Sequence, residues 1–199
     1  YRRVKKTDIT TELGDKMPEL PIIRRLNVGY SPDDIKKLLH CVMMKMLENP
    51  ALFSKGLCSC STALLFGPPG CGKAHLAKSV AHEAGMNFIS VKGPAIINMD
   101  FCECLLAVEE VFEKAKSSAP CLIFFDEIDA LIPNDESRFR RIIASAMMSE
   151  MKNIKRKTVF LIGASNCPEI ILPRAQFIFK FYIGIPTPAE RTDILNKIT

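Results

Sequence analysis

The chain has 199 residues, 48% of them hydrophobic, enough for one core of ordinary domain size. Its net charge of +5 is concentrated in short basic runs, Arg2-Arg3, Lys5-Lys6, Arg24-Arg25 and Lys155-Arg156-Lys157. Such runs are more often solvated surface than a nucleic-acid face, and no aromatics interleave with them to form a stacking platform. The apolar runs are all far too short for a membrane-spanning helix, so no membrane insertion is expected.

The first ten residues, YRRVKKTDIT, lack the apolar stretch of a secretory signal. The eight cysteines are therefore expected as reduced thiols of a cytosolic or nuclear protein. Cys58 with Cys60 and Cys102 with Cys104 are C-x-C pairs, which miss the C-x-x-C spacing of zinc knuckles. Residues 1–30 mix charge with Gly14, Pro18, Pro21 and Gly29 without a sustained period, the pattern of a linker or adaptor segment. At Ser31-Pro32-Asp33-Asp34 the pattern changes to a helix start, with an N-cap hydroxyl, proline at the first helical position and acids in the first turn. Ile35, Leu38, Leu39, Val42 and Met46 continue it at helical spacing towards Asn49-Pro50.

Beyond this point apolar strands alternate with amphipathic helices. The strands are predicted at 62–66, 88–91, 121–125, 158–162 and 177–185, and the helices at 72–84, around 105–117, 136–151 and 188–198. Strands that are nearly all apolar are buried on both faces, which predicts an α/β fold with a parallel sheet between helices.

Three motifs fall at the carboxyl ends of these strands. Gly67-Pro68-Pro69-Gly70-Cys71-Gly72-Lys73 lies between a strand and a helix, where backbone N–H groups and the helix N-terminus converge on phosphates and Lys73 reaches the β- and γ-phosphates. Ala74 follows where the pattern calls for a Mg²⁺-binding Ser or Thr, and His75 completes the stretch. Phe124-Phe125-Asp126-Glu127 ends the third strand with two carboxylates, Asp126 placed to hold Mg²⁺ and Glu127 to act as general base. Gly163-Ala164-Ser165-Asn166 follows the fourth strand and offers an amide, Asn166, to a water or a γ-phosphate oxygen.

GPPGCGK (67–73), NFISVKGP (87–94), SSAPCLIFFDEIDAL (117–131), GASN (163–166) and YIGIPTPAER (182–191) follow one another in this order. With them, residues 31–199 resemble the large nucleotide-binding subdomain of the AAA-type ATPases, and most of all the second ATPase domain of the nuclear valosin-containing-protein-like family. The resemblance implies a P-loop NTPase fold with a five-stranded parallel core. It implies ATP or ADP with Mg²⁺ at a subunit interface, and a ring of six subunits, alike or mixed. The implied substrates are proteins or ribonucleoproteins, pre-ribosomal particles among them, which points to the nucleus or nucleolus with the cytoplasm as the other compartment. Direct nucleic-acid binding is not expected. The small helical lid that carries a further nucleotide sensor in the family does not occur before Thr199.

Departures from the family pattern fall on catalytic and coupling parts. Ala74 cannot ligate a metal, so water would fill that position. After Asn98-Met99 the family has an aromatic, an apolar residue and Gly-Glu-Ser-Glu, where this chain has Asp100-Phe101-Cys102-Glu103-Cys104-Leu105. Asp100 is either a lost substrate grip or a helix N-cap. Glu150-Met151-Lys152-Asn153 replaces Glu-Met-Asp-Gly, and Arg174 stands alone and out of register where the family has a run of arginines. A missing arginine finger costs roughly 10³ to 10⁵ in rate. The reading adopted is nucleotide binding with weakened hydrolysis; the alternative is an active ATPase that unfolds or extracts protein from larger complexes.

Overall fold

A computed structural model describes residues 10–12, 31–48, 62–132, 138–153, 158–171 and 177–198. The four basic runs, Cys58, Cys60, the predicted helix start at Glu136 and Arg174 lie outside the described residues. Helix α1 (Pro32–Glu48) begins as its sequence dictates. The Asp34 N–H donates to Ser31 Oγ at 3.2 Å, and the Ser31 hydroxyl donates to the Asp34 carboxylate at 2.8 Å. Its buried stripe, Ile35, Leu39 and Met43, lies against helix α2 (Lys73–Glu83), to which a Lys36–Glu83 ion pair also ties it.

Six strands form one sheet: β1 (Thr10–Glu12), β2 (Thr62–Phe66), β3 (Asn87–Lys92), β4 (Cys121–Asp126), β5 (Val159–Ser165) and β6 (Phe179–Tyr182), in the order β1-β3-β4-β5-β2-β6. The five from β2 to β6 are parallel, as expected, and β1 adds an antiparallel edge with Thr10 opposite Ser90 and Glu12 opposite Phe88. β1 lies within the segment read as a linker; three residues are too few to show a strand's alternation. In β4 the alternation sorts the core into two layers. Ile123 and Phe125 face helices α4 (Phe101–Ser117) and α5 (Arg138–Asn153), while Leu122 and Phe124 face α1 and α2. Rings meet in each layer, Phe112 tilted against Phe125 at 6.0 Å and Phe88 stacked on Phe124 at 6.1 Å.

Element bounds moved where polar residues obscured the period. α4 starts at Phe101 instead of near Leu105, and Cys104 is the first rung of its buried face, its thiol donating to Ile96 O at 2.9 Å. Asp100 does take the N-cap position in extended backbone, but its side chain makes no capping hydrogen bond. β5 runs on through Gly163 to Ser165, so the GASN motif is strand end and not a turn after it. The short helices α3 (Gly93–Ile97) and α6 (Pro168–Ile171) and the 3₁₀ turn Ile128–Ala130 lie below the length at which a helical period is readable. Helix α7 (Pro188–Ile198) falls where the sequence puts it. Lys116 joins α4 to α5 by donating to Glu150 at 2.8 Å and to Glu113 at 2.8 Å. Among the described residues no helix is long and apolar enough to cross a membrane.

Replacing Phe125, fully buried between sheet and α4, by alanine leaves a cavity that β4 cannot collapse. Urea unfolding of Phe125→Ala is expected to show a loss of about 3–5 kcal/mol.

Candidate nucleotide-binding site

Because β2, β4 and β5 are parallel, the loops that leave their carboxyl ends emerge at one edge of the sheet. The chain order also switches there, since β2 leads away to β3 and its neighbours β5 and β6 return later, and such a switch opens a crevice for ligands. The loop after β2 is fixed at its origin. Gly67 N–H donates to Ser165 O at 3.2 Å, and Ile183 N–H donates to Phe66 O at 2.8 Å. Gly67 has φ +151°, and a Cβ there would lie 2.0 Å from the carbonyl oxygen of Ile183, so only glycine lets the chain pass. Gly70 and Gly72 have positive φ as well, and Gly72 is the N-cap of α2 without any side-chain cap. Leu76 N–H closes the first turn on Gly72 O at 2.9 Å. The N–H groups of Lys73, Ala74 and His75 thus have no intrahelical acceptor, and no acid occupies the first turn to repel an anion.

Lys73 opens α2 and is 8% exposed. Its ammonium donates to Gly67 O, Pro68 O and Asn166 Oδ1, each at 2.8 Å, so all three protons are committed. Burial holds this ammonium below the usual lysine range, and its electrostatic interaction with neighbouring Cys71, Asp126 and Asp129 offsets part of that shift. A desolvated cation at the mouth of open N–H groups is chemically suited to receive a phosphate.

The acidic side is built differently. Asp126 ends β4 half-buried, and its Oδ1 accepts the Glu127 N–H at 3.1 Å. Glu127 is left-handed, φ 50° and ψ 50°, a conformation that costs a side-chain-bearing residue about 1–2 kcal/mol. It is the one non-glycine residue with positive φ among the described residues. Gly93, which opens α3, packs against its backbone so closely that a Cβ would sit 2.3 Å from Glu127 O. After it, the 3₁₀ turn brings Asp129 to Ser165, whose hydroxyl donates to Asp129 Oδ1 at 2.7 Å. The same hydroxyl oxygen accepts the Cys167 N–H at 2.9 Å.

The loop 67–73, Asp126, Glu127 and Asn166 therefore stand together at one edge, with Asn166 bonded directly to Lys73. Ala74 and His75 are exposed on the first turn of α2. Elsewhere, Phe101 is exposed at the head of α4 with its ring 5.4 Å from Phe139, and Glu150 and Asn153 sit in the last turn of α5, 3.3 Å apart. Sequence reasoning passed over Gly93, Asp129 and Ser165. An acid three residues after Asp126 and a hydroxyl next to Asn166 were the available signals.

A parallel sheet with a glycine loop, a buried lysine at a helix N-terminus and two carboxylates on an adjoining strand defines a P-loop α/β domain. Residues 63–187 match the model of the ATPase family associated with various cellular activities (AAA), and the chain belongs to that family. It is 43% identical over 176 residues to the mouse nuclear valosin-containing protein-like, covering 84% of this chain and 21% of that protein. It is 39% identical to the Arabidopsis thaliana peroxisomal ATPase PEX6, with 92% of this chain and 20% of that one aligned. To the Saccharomyces cerevisiae ribosome biogenesis ATPase RIX7 it is 34% identical, with 90% and 22% aligned. The chain thus spans about a fifth of the length of these relatives. The crystal structure of the FIGL-1 AAA domain in complex with ADP superposes with a TM-score of 0.71 at 26% identity, covering 83% of this chain and 57% of that one.

Asparagine tolerates the left-handed region better than glutamate does. Glu127→Asn is accordingly expected to raise the unfolding free energy by about 0.5–1 kcal/mol in denaturant titration, while removing the carboxylate offered as general base.

Proposed function

We propose that this domain binds ATP or ADP through the Gly67–Lys73 loop and hydrolyses ATP slowly, as one subunit of a ring that remodels protein or ribonucleoprotein complexes. The observation that supports binding is Lys73, a desolvated ammonium beside the uncapped N-terminus of α2. Bound phosphate would supply the counter-charge that burial withholds from it. Mg²⁺, when bound with the nucleotide, neutralises charge on the phosphates. Asp126 would hold it, and the exposed methyl group of Ala74 offers no oxygen beside it, so coordination falls to phosphate and water. Loosened metal placement weakens a reaction whose catalysis is mostly positioning.

The reading in which turnover is ordinary has its own support in Glu127, a general-base candidate kept in a costly backbone conformation. The names of the mouse and yeast relatives favour a nuclear role in ribosome biogenesis, and the peroxisomal relative favours another site of action. The partners proposed are further AAA subunits, identical or not, and the complexes on which the ring acts.

Phosphate release by the purified protein is expected to rise about tenfold or more in Ala74→Thr, which restores a ligating hydroxyl. A wild type that already turns over as fast as Ala74→Thr ends the weakened-hydrolysis reading. ATP is expected to raise the melting temperature of the wild type and not of Lys73→Ala; a shift that survives in Lys73→Ala puts the phosphates elsewhere.

A further inference from the structure

We propose that Ser165 and Asp129 are positioning residues that carry nucleotide occupancy of the Gly67–Lys73 loop across to Glu127, an inference that rests on the nucleotide-binding reading above. Ser165 is buried, with three separate segments bonded to it. Its carbonyl accepts the Gly67 N–H at the root of the loop. Its hydroxyl donates to Asp129 at 2.7 Å, in the turn that follows Glu127, and accepts the Cys167 N–H at 2.9 Å, closing the bend that carries Asn166. A buried hydroxyl with donor and acceptor sites both used, one of them on a carboxylate, makes a directed contact and not merely a filled space.

The coupling follows from the proton inventory of Lys73. All three ammonium protons are committed, so a phosphate oxygen that bonds Lys73 displaces one acceptor. Two of the acceptors are loop carbonyls, Gly67 O and Pro68 O, fixed by the backbone. The third is Asn166 Oδ1, on an exposed side chain with room to swing. Asn166 leaves Lys73, its amide N–H₂ is then free to donate to the phosphate in turn, and the bend from Ser165 to Cys167 is re-anchored on the nucleotide. That bend pivots on the Ser165 hydroxyl, whose other partner is Asp129. Asp129 belongs to the turn that begins when Ala130 N–H bonds Glu127 O at 3.0 Å, and Gly93 passes so near the same carbonyl that a Cβ there would lie 2.3 Å from it. Glu127, in a conformation it holds only while its surroundings impose it, responds to a change in either contact. Two hydrogen bonds, Lys73 to Asn166 and Ser165 to Asp129, are joined by the backbone between Asn166 and Ser165 and by the turn that links Asp129 to Glu127, and together they make the route.

Amide hydrogen exchange of residues 127–131, with and without Mg²⁺-ATP, tests the route independently of any hydrolysis. ATP is expected to slow exchange there on the order of tenfold in the wild type, the equilibrium factor of a hydrogen bond to a charged group. In Ser165→Ala that slowing is expected to vanish while ATP still raises the melting temperature. Ser165→Thr, which keeps the hydroxyl, and Asp129→Asn, which keeps the accepting oxygen, are expected to restore it. If Ser165→Ala does not fold, Asp129→Ala is compared with Asp129→Asn in the same way. The inference is overturned if the wild type binds ATP without slowing at 127–131, or if Ser165→Ala or Asp129→Ala retains the slowing. A wild type whose melting temperature does not respond to ATP sinks the nucleotide-binding reading itself, and the separate thermal measurement identifies that case.

Discussion

A charged ammonium buried at the root of a loop must be repaid locally, because taking it out of water costs several kcal/mol unless partners replace the lost hydration. Lys73 finds those partners in two adjacent carbonyls of the preceding loop and in the amide of Asn166, 93 residues on at the end of β5. That requirement fixes much else. β2 and β5 must be neighbours and parallel, with Phe66 opposite Ser165, so that the loop and Asn166 leave the sheet side by side. Gly67 must lack a side chain so that the loop can pass under Ile183 on its way to Lys73. The helix must start without a cap or an acid, so that its open N–H groups add to the field of the lysine and are not quenched.

The carboxylate edge obeys a different constraint. None of its carboxylates is deeply buried, and the cost is carried by the backbone: Glu127 sits left-handed, where its own Cβ is unwelcome. Conformations of this kind persist only when surrounding contacts over-determine them. Here the contacts are the bond from Glu127 N–H to Asp126, the 3₁₀ turn behind it and the close passage of Gly93. The same glycine begins α3, which leads through Asn98 and Met99 to Phe101 at the exposed head of α4.

Much of this was legible in the residues themselves, and the rest was hidden for identifiable reasons. The parallel sheet was readable because strands such as CLIFFD are apolar at every position, a pattern that only two-sided burial explains. The phosphate loop was readable because its glycines and lysine stand at a fixed spacing between a strand and a helix. β1 was not, since three residues, Thr10-Thr11-Glu12, contain no alternation, and their pairing with β3 is a long-range event. The start of α4 was misplaced because Cys104 looked like half of a C-x-C pair, when burial makes it part of an apolar stripe with Val108 and Val111. Ser165 and Gly93 escaped because their importance lies in what stands opposite them, Asp129 and the carbonyl of Glu127, and no local pattern records a partner many residues away.

The same contrast bears on the departures from the family pattern. Gly67 and Gly93 face backbone atoms so near that any side chain must displace the main chain, and Ser165 is enclosed by groups bonded to it. The fold alone is reason enough to keep those residues. Ala74 is exposed on the first turn of α2, Asp100 is exposed ahead of α4, and Asn153 is exposed at the end of α5. Packing neither demands these residues nor forbids the family's own choices at the same places. Surface positions of this kind tolerate substitution at little cost in stability. Their divergence therefore says nothing against the fold: the loop and lysine proposed to seat a phosphate are held by packing and backbone, and the positions where the chain departs from the family pattern are ones the fold leaves free to change.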